Sequence, residues 1–256
     1  MPRNARSPSR KRKIGIRRTI VEAFAVMKAK PVVLVPPLLI FMLSMASSAA
    51  ATLDNVIVTV AAMVPLFVAE IFVSVLGIRT SHAAIKGRAG LGRSAGEAWR
   101  LLPRSLGYTV LLLVIMLGVM VGDAVVAVLI GYATGSQSAL AAVMIAAMLV
   151  SLVYLTTKLS FTMYGIVIDN KEVVASIRAS WKMTRGVFVN LVLLQLALGA
   201  ITLLIYVPVY ISEMLYTVGG GTAFMLISLF ASMLAVTLMV PLNVLAMIIA
   251  YQKLKR

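Results

Sequence analysis

The sequence predicts an all-α integral membrane protein: six transmembrane helices arranged as three parallel repeats, each an interfacial amphipathic helix followed by a transmembrane hairpin. Three observations carry that expectation. The 256 residues are 61% hydrophobic and 12% charged, against about 25% charged in a soluble domain, and the mean hydropathy is +1.03. The 24 Lys and Arg residues fall into four clusters separated by long apolar runs. A short pattern of a hydroxyl residue and an aromatic recurs three times along the chain.

An apolar run of about 20 residues crosses roughly 30 Å of hydrocarbon at about 1.5 Å per residue. Spans are expected at about 31–52, 56–79, 105–130, 138–160, 187–212 and 222–250. Ten basic residues precede the first span, through Lys30. Six lie between spans two and three (Arg79, Lys86, Arg88, Arg93, Arg100, Arg104), and five around the junction of spans four and five (Lys158, Lys171, Arg178, Lys182, Arg185). Lys253, Lys255 and Arg256 end the chain. The opposite loops are left with only Asp54, Asp123 and Glu213. Because Lys and Arg are retained on the cytoplasmic side, a multi-pass cell-membrane protein with both termini in the cytoplasm is expected. Net charge +16 then reads as an orientation signal and a lipid-facing surface, not as a nucleic-acid footprint.

Taken in order, residues 1–13 form a disordered polybasic cytoplasmic tail drawn to anionic headgroups by about 1 kcal/mol per basic residue. A six-helix transmembrane domain over 14–256 follows, with repeats at about 14–80, 81–168 and 169–252. The basic start, the apolar stretch Pro31–Met45 and the small-residue run ASSAAA also have the outline of a signal peptide. The basic segment is long for that, and the repeat uses this region as a structural element, so retention is expected.

The repeat reads TIVEAF at Thr19–Phe24, SAGEAW at Ser94–Trp99 and SIRASW at Ser176–Trp181. Thr19 with Glu22, and Ser94 with Glu97, match the S/T-x-x-E capping box of a helix start. In the third copy, Asp169 and Glu172 supply the cap pattern earlier. From there Val174, Ile177, Trp181 and Phe188 form an apolar stripe and Arg178, Lys182 and Arg185 a basic one, which makes a short amphipathic helix for the interfacial plane. A second marker, Val64-Pro65-Leu66, Val150-Ser151-Leu152 and Val240-Pro241-Leu242, occupies comparable places in the even-numbered spans. The units all enter from one side, so the inverted repeats typical of alternating-access transporters are absent.

A basic segment of the S-x-x-x-S/A-W-K/R type before a transmembrane hairpin, repeated within six spans, resembles the membrane-domain family found fused to glycerophosphoryl diester phosphodiesterases and its stand-alone bacterial and archaeal relatives. The resemblance covers roughly Ile14–Tyr251. It implies a fold, a membrane setting and proximity to lipid metabolism. The hydrolytic residues of the fused enzymes lie in a separate soluble barrel that no segment here supplies, so no phosphodiesterase activity is implied.

Candidate chemistry is sparse. With no Cys and one His, no disulfide or Cys/His metal site is available, and the 16 Met read as adaptable packing. No catalytic residue, metal or cofactor is expected, and His82 is read as a solvated loop residue. Gly219-Gly220-Gly221 is an outer turn lacking the Lys and strand-to-helix context of a phosphate loop. Of the intramembrane polar residues, Glu70 is read as structural, neutral or paired with Lys158, in preference to a proton or cation site. Lys158 is expected to extend its amine to interfacial water, and Gln195 and Asn243 to bond between helices.

The function expected is therefore non-enzymatic: a basic cytoplasmic face that binds anionic lipid or a partner protein through Phe24, Lys28, Trp99, Arg100, Arg104, Arg178, Trp181, Lys182 and Arg185. A partner membrane protein or a second copy of the chain are the further candidates. The alternative is a transporter or lipid-moving protein with a polar route through Glu70, Tyr154, Thr156 and Asn243.

Overall fold

Six helices in the computed structural model are long and apolar enough to cross a membrane: Pro31–Ala51, Val56–Ile85, Leu91–Thr134, Leu140–Asp169, Phe188–Thr217 and Gly221–Lys255. The structure describes residues 14–53, 55–88, 90–218 and 221–255. The expected tail over 1–13 and two glycines of the outer turn, Gly219 and Gly220, lie outside them. Among the described residues the elements are all helical: α1 (Ile16–Ala29), a 3-10 turn (Pro31–Leu34), α2 (Val35–Ala51), α3 (Val56–Ile85), α4 (Leu91–Thr134), α5 (Gln137–Leu159), α6 (Thr162–Asp169), α7 (Val173–Thr184), α8 (Phe188–Thr217) and α9 (Gly221–Lys255). Only 6–17% of the most apolar stretch of each long helix is buried within the protein. Such a surface belongs against hydrocarbon, not water, and the chain is a multi-pass membrane protein.

Several helix ends have local causes. Pro36 and Pro37 stand in the first turn of α2, where a missing N–H costs nothing. Asn55 caps α3 by accepting from Ile57 N at 2.9 Å and Val58 N at 3.3 Å. Asn170, with φ of 55°, ends α6 in the left-handed conformation that Asn tolerates better than most residues.

The expected capping boxes do not form. α1 and α4 begin earlier, after Gly15 and Gly90, and no side chain caps either. Thr19 and Ser94 therefore lie inside their helices and are buried. Glu172 does precede α7, but its side chain makes no cap bond. The carboxylates Glu22, Glu97, Asp169 and Glu172 face Lys and Arg instead, because at a strongly basic end an ion pair outcompetes a helix N–H for a carboxylate. A second difference concerns the middle repeat. Ser94–Trp99 is not a separate interfacial helix but the opening of α4, whose 44 residues extend about 66 Å at about 1.5 Å per residue, through Pro103.

The core is asymmetric along the helix axes. α9 is buried almost continuously from Leu245 to Tyr251, whereas residues 221–234 are not; in α3 the buried residues run from Ile71 to Ala84. α9 packs against α1, α2, α3 and α8, while α6 and α7 tie the α4–α5 hairpin to the rest. The tight end is the basic end. In hydrocarbon lipid solvates an apolar side chain as well as a neighbouring helix does, while near the interface water makes burial favourable.

Candidate functional site: the basic end of the bundle

The three similar segments share one burial pattern. The hydroxyl residue and the small residue four positions later are buried in each: Thr19 and Ala23, Ser94 and Ala98, Ser176 and Ser180. Small residues at this spacing let helices approach closely, and the aromatic that follows points outward: Phe24 and Trp99 are exposed and Trp181 is half-buried. The face of α7 packed on the bundle is the row Ser176, Ser180, Thr184; of the apolar stripe, Val174 is exposed and Ile177 and Trp181 are half-buried.

These hydroxyls have a specific task at the turn of Ser160 and Phe161 between α5 and α6, where regular helical bonding is interrupted. Ser180 Oγ donates to Lys158 O at 2.7 Å and accepts from Phe161 N at 3.2 Å. Ser176 Oγ donates to Thr162 O at 2.7 Å. Buried backbone groups left open by the break are satisfied by α7. That fixes α7 against the bundle and holds Arg178, Lys182 and Arg185 on its exposed surface.

Ion pairs lock the other elements together. Lys253 of α9 donates to Glu22 of α1 at 2.7 Å, and Arg18 reaches the same carboxylate at 2.8 Å. The hydrogen bond from Lys253 holds the Glu22 carboxyl below its usual range, against the opposing effect of partial burial and with Arg18 assisting. Asp169 accepts from Tyr251 Oη at 2.6 Å and Lys255 Nζ at 2.8 Å. Arg104 pairs with Glu172 at 3.1 Å and donates to Asn170 Oδ1 at 2.7 Å. Glu97 bridges Arg79 at 3.2 Å and Arg93 at 3.3 Å. Glu22, Glu97, Asp169 and Glu172 thereby occupy seven cations. Lys28, Arg100, Arg178, Lys182 and Arg185 have no acidic partner among the described residues, and all five are exposed.

His82 is not a solvated loop residue. It is buried near the end of α3, between two indentations that also share Lys86. A third lies between Arg79, Glu97, Arg100, Arg104 and Asn170. Together they ring the basic end of α3.

The intramembrane polar residues are satisfied separately. Glu70 accepts from Ser47 at 3.3 Å, Gln195 accepts from Thr157 at 2.9 Å, and Asn243 and Thr156 bond to carbonyls of their own helices. Lys158 neither pairs with Glu70 nor reaches out to water. It is 7% exposed, with its amine 5.4 Å from the Trp181 ring centre, 5.5 Å from Phe188 and 5.6 Å from Tyr154. The electron-rich ring faces attract the ammonium, and its place in the last turn of α5 sets it beside carbonyl ends that favour a cation.

Sequence reading missed two features. Asp123, counted with the outer loops although it falls within the expected span 105–130, lies inside α4 and accepts from Ser151 of α5 at 3.1 Å; the signal was Ser151, which replaces the Pro found at the matching place in spans two and six. The run GRAGLGRS at Gly87–Ser94 drew no reading as a unit, although its glycines and arginines precede a helix start. No group of three His, Cys, Asp or Glu able to hold a metal occurs among the described residues.

A family model described as a domain of unknown function (DUF7847) matches residues 14–254. No curated protein and no solved structure matches the chain.

Proposed function

We propose, for this chain, which belongs to the DUF7847 family, a non-enzymatic role in which its basic end faces the cytoplasm and binds anionic lipid headgroups. One observation carries the reading. Each acid of this end is engaged by a bridge to another element, so exposed cations such as Arg178, Lys182 and Arg185 are left without acidic partners among the described residues. The same basic end carries Trp99, exposed and next in sequence to Arg100, a residue of the kind that settles at headgroup depth. Cations held there by a rigid scaffold attract anionic lipid by about 1 kcal/mol each.

The three hydroxyl-x3-small-aromatic segments are, in this reading, copies of one unit, and their matched burial supports it. The resemblance to phosphodiesterase-associated membrane domains supports a lipid setting. The separate bonding of Glu70, Asn243 and Thr156, with Tyr154 packed against the Trp181 and Phe188 rings, offers no support to a polar transport route.

The test uses full-length protein in neutral detergent. Phosphatidylglycerol should raise its thermal unfolding midpoint more than phosphatidylcholine does, and added salt should diminish the difference. Replacing Arg178, Lys182 and Arg185 by Glu should remove most of the response. An undiminished response in that variant overturns the reading.

A further inference from the structure

We propose that the corner between α3 and α4 is a pocket for a lipid phosphomonoester, the headgroup chemistry of phosphatidic acid. The inference deepens the lipid-binding reading and rests on it for the source of the phosphate, while the pocket itself rests on separate geometry.

The chain turns at Gly87 with φ of 74°, a conformation that L side chains rarely adopt. It enters α4 at Gly90, which provides no capping side chain. A helix start leaves its first N–H groups unpaired, and these together with the helix dipole favour an anion. Ser94 does not compensate, since its hydroxyl donates to Gly90 O at 2.9 Å. A β-carbon at Gly90 would meet nothing within 4 Å, and Gly90 itself lines the same cavity as Arg79.

A second, independent observation points to an anion. Arg79 is 18% exposed and gives one amine to Glu97 at 3.2 Å. Its guanidinium stays beside three further cations that this carboxylate does not neutralise in full. Arg79, Lys86, Arg88 and Arg93 line a cavity of about 180 Å³, in which Glu97 is the one acid. That is below the roughly 300–1,000 Å³ of sites that enclose a drug-sized ligand, so a headgroup fits the cavity and a whole lipid does not.

Surplus cationic donors around one small space suit a group with several acceptor oxygens and more than one negative charge, as a phosphomonoester has. The lipid source follows from position. Five residues beyond Ser94, Trp99 is 67% exposed and packs edge-on against Phe72 of α3, with ring centres 5.8 Å apart. An aromatic anchor beside the cavity puts the pocket where headgroups lie.

The experiment compares short-chain phosphatidic acid, phosphatidylglycerol and inorganic phosphate, at constant ionic strength, by thermal shift of the full-length protein in neutral detergent. The variants are Arg88→Gln with Arg93→Gln, both exposed positions, and the Arg178, Lys182, Arg185 charge reversal. Phosphatidic acid should bind more tightly than phosphatidylglycerol, and the Arg88/Arg93 variant should weaken it by about tenfold or more. The charge-reversed variant should keep that preference while losing its phosphatidylglycerol response. Unchanged phosphatidic acid affinity in the Arg88/Arg93 variant overturns the pocket and leaves the general reading intact. Inorganic phosphate acting as strongly as the lipid overturns the lipid source.

Discussion

Gly165 of α6 faces Ser176 of α7 so closely that no β-carbon fits between them. The nearest atom is Ser176 Oγ, the same oxygen that donates to Thr162 O. Gly165→Ala should therefore destabilise the protein by about 1–3 kcal/mol, the usual cost of forcing extra volume into a packed site, and a detergent thermal melt reads this directly. Ser176→Ala in that background should restore part of the loss. Gly107→Ala and Gly199→Ala, with nothing within 4 Å, should be neutral or stabilising, because Ala is the better helix former by about 0.5–1 kcal/mol. Equal melting of all three Gly variants would contradict the assigned contact.

The setting of Lys158 among Trp181, Phe188 and Tyr154 makes a prediction about coupling. A double-mutant cycle between Lys158→Met, which keeps most of the stem, and Trp181→Leu should return about 0.5–2 kcal/mol of interaction. With Trp99→Phe in place, Trp181 is the chain's last tryptophan, and Lys158→Ala should increase its quenching by acrylamide. A coupling indistinguishable from zero means that the amine and the ring are merely adjacent.

Glu22 joins the two ends of the described chain through Lys253, and its carboxyl titrates below its ordinary value of 4.5 because Lys253 and Arg18 donate to it. A carboxylate with a lowered folded-state pKa contributes stability above its unfolded value and loses it as the pH falls through the folded one. The melting difference between the native protein and Glu22→Gln should therefore be steady near neutrality and shrink below pH 4.5. A difference that persists unchanged into stronger acid assigns the effect to packing. At neutral pH the coupling of Glu22 with Lys253 should be on the order of 0.5 kcal/mol, since both are partly exposed.

Orientation is open to a simple measurement because the chain has no cysteine. Single cysteines at Arg17, Gly92 and Lys182 should label with an impermeant maleimide only from the cytoplasmic side. Those at Thr52, Ser138 and Val218, at the opposite helix ends, should label only from outside. Any residue of the first set that reacts from outside reverses or breaks the proposed topology.

The expected spans and the observed helices agree to within a few residues at most ends, since each span depends on a local apolar run that must be long enough to cross hydrocarbon. The ends that moved most were those where a polar segment continued an apolar helix: α4 begins at Leu91, well before the expected 105, and α3 runs on to Ile85. Hydropathy marks where a helix leaves lipid, and hydrogen bonding decides where it stops.

What the amino-acid order determined by itself is therefore the helical class, the six crossings and the gathering of basic residues at one end, because each follows from properties of neighbouring residues. Only the tertiary structure decided which face of α7 is buried, that Lys158 lies under three rings, that Asp123 accepts from Ser151, and which cations remain without acidic partners among the described residues. Those outcomes depend on contacts such as Glu22 with Lys253, Arg104 with Glu172 and Ser180 with Lys158. A short hydroxyl-and-aromatic motif reads alike as a cap, an anchor or a packing face until the helix beside it is in place.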